Sequence, residues 1–75
     1  MVDSADIKHW LEIGLPNSQV TVEGDGQHFE AVIVSPDFEG KNALQRHRMV
    51  YKALGDKMQG TIHALSFKTL TNEVR

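Results

Sequence analysis

The sequence contains no cysteine. Disulfides are thereby excluded, as is any tetrathiolate metal site built from this chain alone. In so short a chain the lack of disulfides favours a reducing compartment. Long hydrophobic runs are missing too. No stretch approaches the roughly 20 apolar residues of a membrane span. Met1-Val2-Asp3-Ser4 has no basic run leading into an apolar one, so no signal peptide is expected. The expected location is cytoplasmic, with no membrane partner. A basic excess is also lacking. Ten acidic residues against eight basic ones give a net charge of -2. That balance speaks against a dedicated nucleic-acid-binding domain, where phosphate neutralisation supplies most of the affinity. Catalytic signatures are absent as well. Ser35 and Ser66 have no flanking glycine elbow, there is no Walker-type phosphate loop, and Gly24-Asp25-Gly26 joins a strand to a strand. No nucleophile, base and oxyanion donor can be assembled, so the chain is not expected to be an enzyme.

What is present is one short domain. The 75 residues form a single unit, 1–75, without linker, repeat or low-complexity stretch. Such a domain buries only roughly 60% of its unfolded surface, which suits binding a partner better than enclosing a substrate. Asp3 or Ser4 can cap a first helix, on which Ile7, Trp10 and Leu11 share a face; Gly14 and Pro16 end it. Gln19 to Glu23 alternates, so Val20 and Val22 point one way. After the turn at Gly24-Asp25-Gly26, Phe29, Ala31 and Ile33 share one face and His28, Glu30, Val32 and Val34 the other, which predicts a hairpin. A loop or a short helical turn over 35–41 follows. Asn42 with Gln45 resembles a capping box opening a longer helix. Its apolar stripe is predicted as Leu44, His47, Val50, Tyr51, Leu54 and Met58, with Gln45, Arg48, Lys52 and Asp56 outward and Gly60 as the stop. Ile62 to Thr69 reads as a last strand, with His63, Leu65 and Phe67 on one face and Ile62, Ala64 and Ser66 on the other. The order α-β-β-α-β contains a βαβ unit. It predicts an α+β fold: a three-stranded mixed sheet with both helices on one face.

Four histidines are the only good soft-metal ligands in the chain. No H-x₃-H pair exists, so spacing alone does not mark a metal site. His9 reads as a surface residue beside Trp10. His28 follows the glycine-rich turn and reads as exposed. His47 lies on the predicted apolar stripe and reads as a packed histidine bonded to a backbone carbonyl. His63, in phase with Leu65 and Phe67, reads either as a half-buried structural histidine or as a ligand. Tyr51 reads as core with its hydroxyl at the rim.

The stretches Phe38-Glu39-Gly40-Lys41, Leu44-Gln45-Arg46-His47-Arg48-Met49-Val50-Tyr51, Ile62-His63-Ala64 and Lys68-Thr69-Leu70-Thr71 resemble the BolA family in residue type and spacing. The hairpin Val22-Glu23-Gly24-Asp25-Gly26 with His28-Phe29 resembles its shorter bacterial members. After Thr71 the family usually continues with a proline and then a tryptophan on a final helix; Asn72-Glu73-Val74-Arg75 has neither. The resemblance covers nearly the whole chain and implies a BolA-like, class II KH-like fold. It further implies a partner of monothiol glutaredoxins that shares a bridging [2Fe–2S] cluster, in iron–sulfur trafficking or iron regulation. The position matching His63 is the family's cluster ligand, and a second ligand comes from the loop between the first two strands, here His28. The thiolates would come from glutaredoxin and glutathione, so no cofactor is expected in the isolated chain, which is expected as a monomer or weak homodimer. Arg46, Arg48, Tyr51 and His47 are the candidate partner-binding residues. Arg46 and Arg48 suit an acidic partner surface or the carboxylates of glutathione. The rival expectation is a transcriptional regulator that contacts DNA through Lys41, Arg46, Arg48 and Lys52. A KH-type G-x-x-G loop is not matched by Glu39-Gly40-Lys41-Asn42-Ala43, which weakens RNA binding.

Overall fold

Reciprocal capping boxes start the two α-helices that span Ser4–Gly14 and Ala43–Leu54. The structure is a computed structural model that describes residues 2–25, 27–57 and 64–72. Helix α1 spans Ser4–Gly14. Its cap is Asp3, whose carboxylate accepts from the Asp6 amide at 3.0 Å, while the Asp6 carboxylate accepts from the Asp3 amide at 3.1 Å. Two otherwise orphaned donors of the first turn are satisfied in this way. Ile7 and Leu11 turn inward and are fully buried.

Strand β1 (Gln19–Gly24) pairs antiparallel with β2 (His28–Val34), with Val22 opposite Ala31 and Gly24 opposite Phe29. Strand β3 (Ala64–Leu70) runs parallel to β2, giving the order β1-β2-β3. The predicted three-stranded mixed sheet is therefore the one observed. Its helix-covered face carries Val20, Phe29, Ala31 and Ile33, all buried, with Leu65 and Phe67 partly buried beside them. The opposite face carries the exposed Thr21, Glu23, Glu30, Val32, Ser66 and Lys68. Between β2 and α2 a short 3-10 turn, Pro36–Phe38, is capped by Ser35, whose hydroxyl accepts from the Asp37 amide at 3.1 Å. Ser35 is fully buried, and its amide donates to the Leu70 carbonyl at 2.9 Å, tying the turn to the end of β3.

Helix α2 spans Ala43–Leu54. Asn42 and Gln45 form the expected capping box, with both hydrogen bonds at 2.9 Å. Two expectations for this helix need correction. It ends at Gly55, not Gly60: Gly55 has φ 62, a left-handed conformation that suits glycine and stops the helix, and its amide closes on the Tyr51 carbonyl at 2.9 Å. Its buried stripe is also turned. Val50 and Leu54 are buried as expected, but their packed neighbours are Met49 and Ala53, whereas Leu44 is 59% and Tyr51 45% exposed, and His47 is exposed too. At about 100° per residue, this is a rotation of roughly a quarter turn from the expected stripe. The cause is the contact with α1. Gly14 lies so close to Ala53 that a Cβ at position 14 would collide with it. That close crossing draws Met49 and Ala53 inward and leaves Leu44, His47 and Tyr51 outside. Met58, Gly60 and Ile62 lie outside the described residues.

Candidate functional site

His28 is the first residue of β2, and its backbone is held by one neighbour. The Asp25 carboxylate accepts from the His28 amide at 2.9 Å and from the Gln27 amide at 3.0 Å. In return the Asp25 amide donates to the His28 carbonyl at 3.2 Å. These amides, His28 foremost, hold the Asp25 carboxyl below the usual carboxylate range. Gly24, the last residue of β1, stands directly before this carboxylate. A Cβ there would run into the Phe29 ring and the His28 carbonyl, so the close approach of the two strands requires glycine. The His28 side chain itself is exposed.

In the parallel ladder His28 stands opposite Ala64. His63 is bonded to Ala64 in the chain but lies outside the described residues. The start of β2 and the start of β3 thus lie level at one end of the sheet, on strands about 4.8 Å apart. Among the described residues no group of three or more His, Cys, Asp or Glu side chains is set to hold a metal ion. His9 is exposed on α1.

The second feature is an aromatic surface between α2 and β3. The His47 ring lies 4.7 Å from the Phe67 ring, and the Tyr51 ring meets Phe67 at 5.7 Å in an edge-on arrangement. His47 and Tyr51 are themselves 6.5 Å apart. Edge-on and tilted contacts at these separations are favourable. This corrects two expectations: His47 is an exposed residue resting on Phe67 rather than a packed one, and Tyr51 lies on the surface rather than in the core. The quarter-turn rotation of α2 explains both. Arg46 is partly buried and engaged within the chain. Its Nε donates to the Lys41 carbonyl at 2.9 Å, one terminal nitrogen reaches the Thr69 carbonyl at 3.5 Å, and the guanidinium carbon sits 5.8 Å from the Phe38 ring centre. Arg48, Lys41 and Lys52 are exposed.

Two residues of this region were not singled out by sequence reasoning. Asp25 carries a readable signal, since Asp before a turn commonly bonds amides further along the chain. Phe67 does not. Its strand pattern places it on the inner face, and only the rotation of α2 makes it the floor of an exposed patch.

A family model described as BolA-like protein matches residues 8–74. A solved structure of a BolA protein homologue from Coxiella burnetii is 61% identical, with a TM-score of 0.88 over 95% of this chain and 92% of that one. Yeast Fra2 is 36% identical with a TM-score of 0.79, over 93% and 80%. The DNA-binding transcriptional regulator BolA of Escherichia coli (strain K12) is 44% identical over 48 residues, which are 64% of this chain and 46% of that protein. The matched part spans from 35% to 57% of the length of such curated relatives. Sheet order, helix placement and these similarities agree, and the chain belongs to the BolA-like protein family.

Proposed function

We propose that this chain partners a monothiol glutaredoxin and lends imidazoles from His28 and His63 to a [2Fe–2S] cluster whose thiolates come from glutaredoxin and glutathione. The role is in iron–sulfur trafficking or iron regulation. The observation that carries this reading is the pairing of His28 with Ala64, the residue next to His63. The donor chemistry fits. Histidines replace cysteines on one iron of Rieske centres, and a chain with no cysteine can offer imidazole but not thiolate. A shared cluster supplies one-electron chemistry or a transferable iron–sulfur unit. The chain's own part is to present exposed nitrogen donors and a docking surface. The patch of His47, Tyr51 and Phe67, flanked by Arg46 and Arg48, suits such docking: its core is aromatic and its rim cationic. Arg48 is the freer of the two arginines, because Arg46 already serves the Lys41 and Thr69 carbonyls.

The test is to mix the protein with cluster-loaded glutaredoxin and record visible absorption and circular dichroism. His63→Ala and His28→Ala are each expected to change the spectrum of the mixture. An unchanged spectrum with His63→Ala overturns the ligand assignment. Glutaredoxin binding that survives with no cluster signal in any form of the protein would indicate a plain adaptor.

A second reading has one specific observation behind it, the name of the Escherichia coli relative as a DNA-binding transcriptional regulator. Lys41, Arg48 and Lys52 are exposed and, with Arg46, would form the DNA-facing surface around α2. Binding of this kind is driven by phosphate contacts and must weaken steeply between about 50 and 200 mM salt. Absence of DNA binding even at the lower concentration removes this reading.

A further inference from the structure

We infer that Asp25 is a positioning residue for His28, fixing where its imidazole is presented. This rests on the reading of His28 as a cluster ligand and adds a residue to that site. The argument begins with the main chain. Both polar backbone groups of His28 at the head of β2 are engaged by Asp25. The His28 amide donates to the Asp25 carboxylate at 2.9 Å, and the Asp25 amide donates to the His28 carbonyl at 3.2 Å. The same carboxylate oxygen holds the Gln27 amide at 3.0 Å. One side chain therefore fixes the backbone of the two residues that lead into the strand.

The hydrogen bonds of the clamp reach only the backbone of His28, and its side chain remains exposed. From His28 onward the ladder takes over, with Phe29 opposite Gly24 on one side and Leu65 on the other. His28 is thus the transition between a hydrogen-bonded turn and a rigid central strand. Its Cα is set level with Ala64 before any ligand arrives. A donor with a fixed backbone loses less conformational freedom on binding than one at the tip of a loose loop. Groups that orient a ligand in this way typically alter metal affinity by about 10- to 100-fold when removed. Asp25 acts through the main chain and leaves side-chain rotation to His28, so the lower end of that range is expected.

The test uses the full chain with glutaredoxin carrying [2Fe–2S] and glutathione, titrated by visible circular dichroism. Four forms are compared with the unaltered protein: Asp25→Ala, Asp25→Asn, His28→Ala, and the double variant Asp25→Ala with His28→Ala. Asp25→Ala is expected to weaken formation of the mixed complex about tenfold. Asp25→Asn keeps the accepting oxygen and is expected to restore most of the binding. The double variant should bind no worse than His28→Ala alone, since a residue that acts only through His28 has nothing left to position. A second readout is independent of the cluster. Amide exchange at Gln27 and His28 should quicken in Asp25→Ala and stay slow in Asp25→Asn. If Asp25→Ala lowers the melting midpoint, Asp25→Glu, which moves the acceptor by one carbon, serves in the same comparison.

Asp25→Ala binding like the unaltered protein while His28→Ala binds poorly overturns the positioning role. Additive losses in the double variant overturn it as well, because Asp25 would then act independently of His28. No effect of His28→Ala brings down the ligand reading itself, and this inference with it.

Discussion

Gly24 and Asp25 sit side by side and shape the hairpin end by different means. Asp25 works by hydrogen bonds, and Gly24 by having no side chain where β1 crosses closest to Phe29. Gly24→Ala should therefore destabilise the fold through overpacking rather than through backbone conformation, since its φ is not positive. The expected cost is about 1–3 kcal/mol, read as a lower midpoint in urea with an unchanged slope. A loss of only a few tenths would mean that Phe29, fully buried here, can move aside. At this scale the sequence was a good guide to residue type and a poorer one to residue role. The hairpin joining β1 to β2 was legible from the glycines at 24 and 26, although Gly24 itself belongs to β1 and Gly26 lies outside the described residues. The service that Asp25 performs for His28 was not, because an aspartate in a turn reads the same whether or not the amide it holds belongs to a residue with further duties.

Helix α2 shows how an element can be found correctly and faced wrongly. Its cap, its amphipathic character and its outward polar residues Gln45, Arg48 and Lys52 follow from the sequence. The expected stripe of Leu44, His47, Val50, Tyr51 and Leu54 has proper helical spacing, but so does Met49, Val50, Ala53 and Leu54; the two share Val50 and Leu54, and spacing alone cannot choose between them. The choice was made by the small pair Gly14 and Ala53, a tertiary contact. Paired truncations check this assignment. Leu54→Ala removes a buried side chain and should cost about 2–5 kcal/mol. Leu44→Ala trims an exposed one and should stay within about 0.5 kcal/mol. Equal costs in chemical denaturation would show that α2 packs with its other stripe inward. The premature stop at Gly55 was missed for a related reason. The apolar period continued past it toward Met58, while the glycine marking the end lay within the pattern.

For the molecule as a whole, topology was the most legible property. A hairpin followed by a helix and a strand leaves few arrangements once crossovers are right-handed and parallel neighbours are required. The result puts β2 in the centre, paired on both sides, with β1 and β3 as edges. The amides of Ala31 and Ile33 should thus be among the slowest to exchange with solvent, and those of β1 and β3 faster, in native-state hydrogen exchange. Equally slow exchange in β3 would point to a partner covering that edge in solution.

Among the described residues the helices lie on one side only, which leaves the back of the sheet uncovered by them. Thr21 lies there opposite Val32, four residues along β2 from His28, or about 13 Å of strand. Since the chain has no thiol of its own, Thr21→Cys would create a unique attachment point for a fluorophore. A dye placed there would ride on the face turned away from both helices, close enough to the strand starts to report occupancy by energy transfer and remote enough to leave the aromatic patch undisturbed.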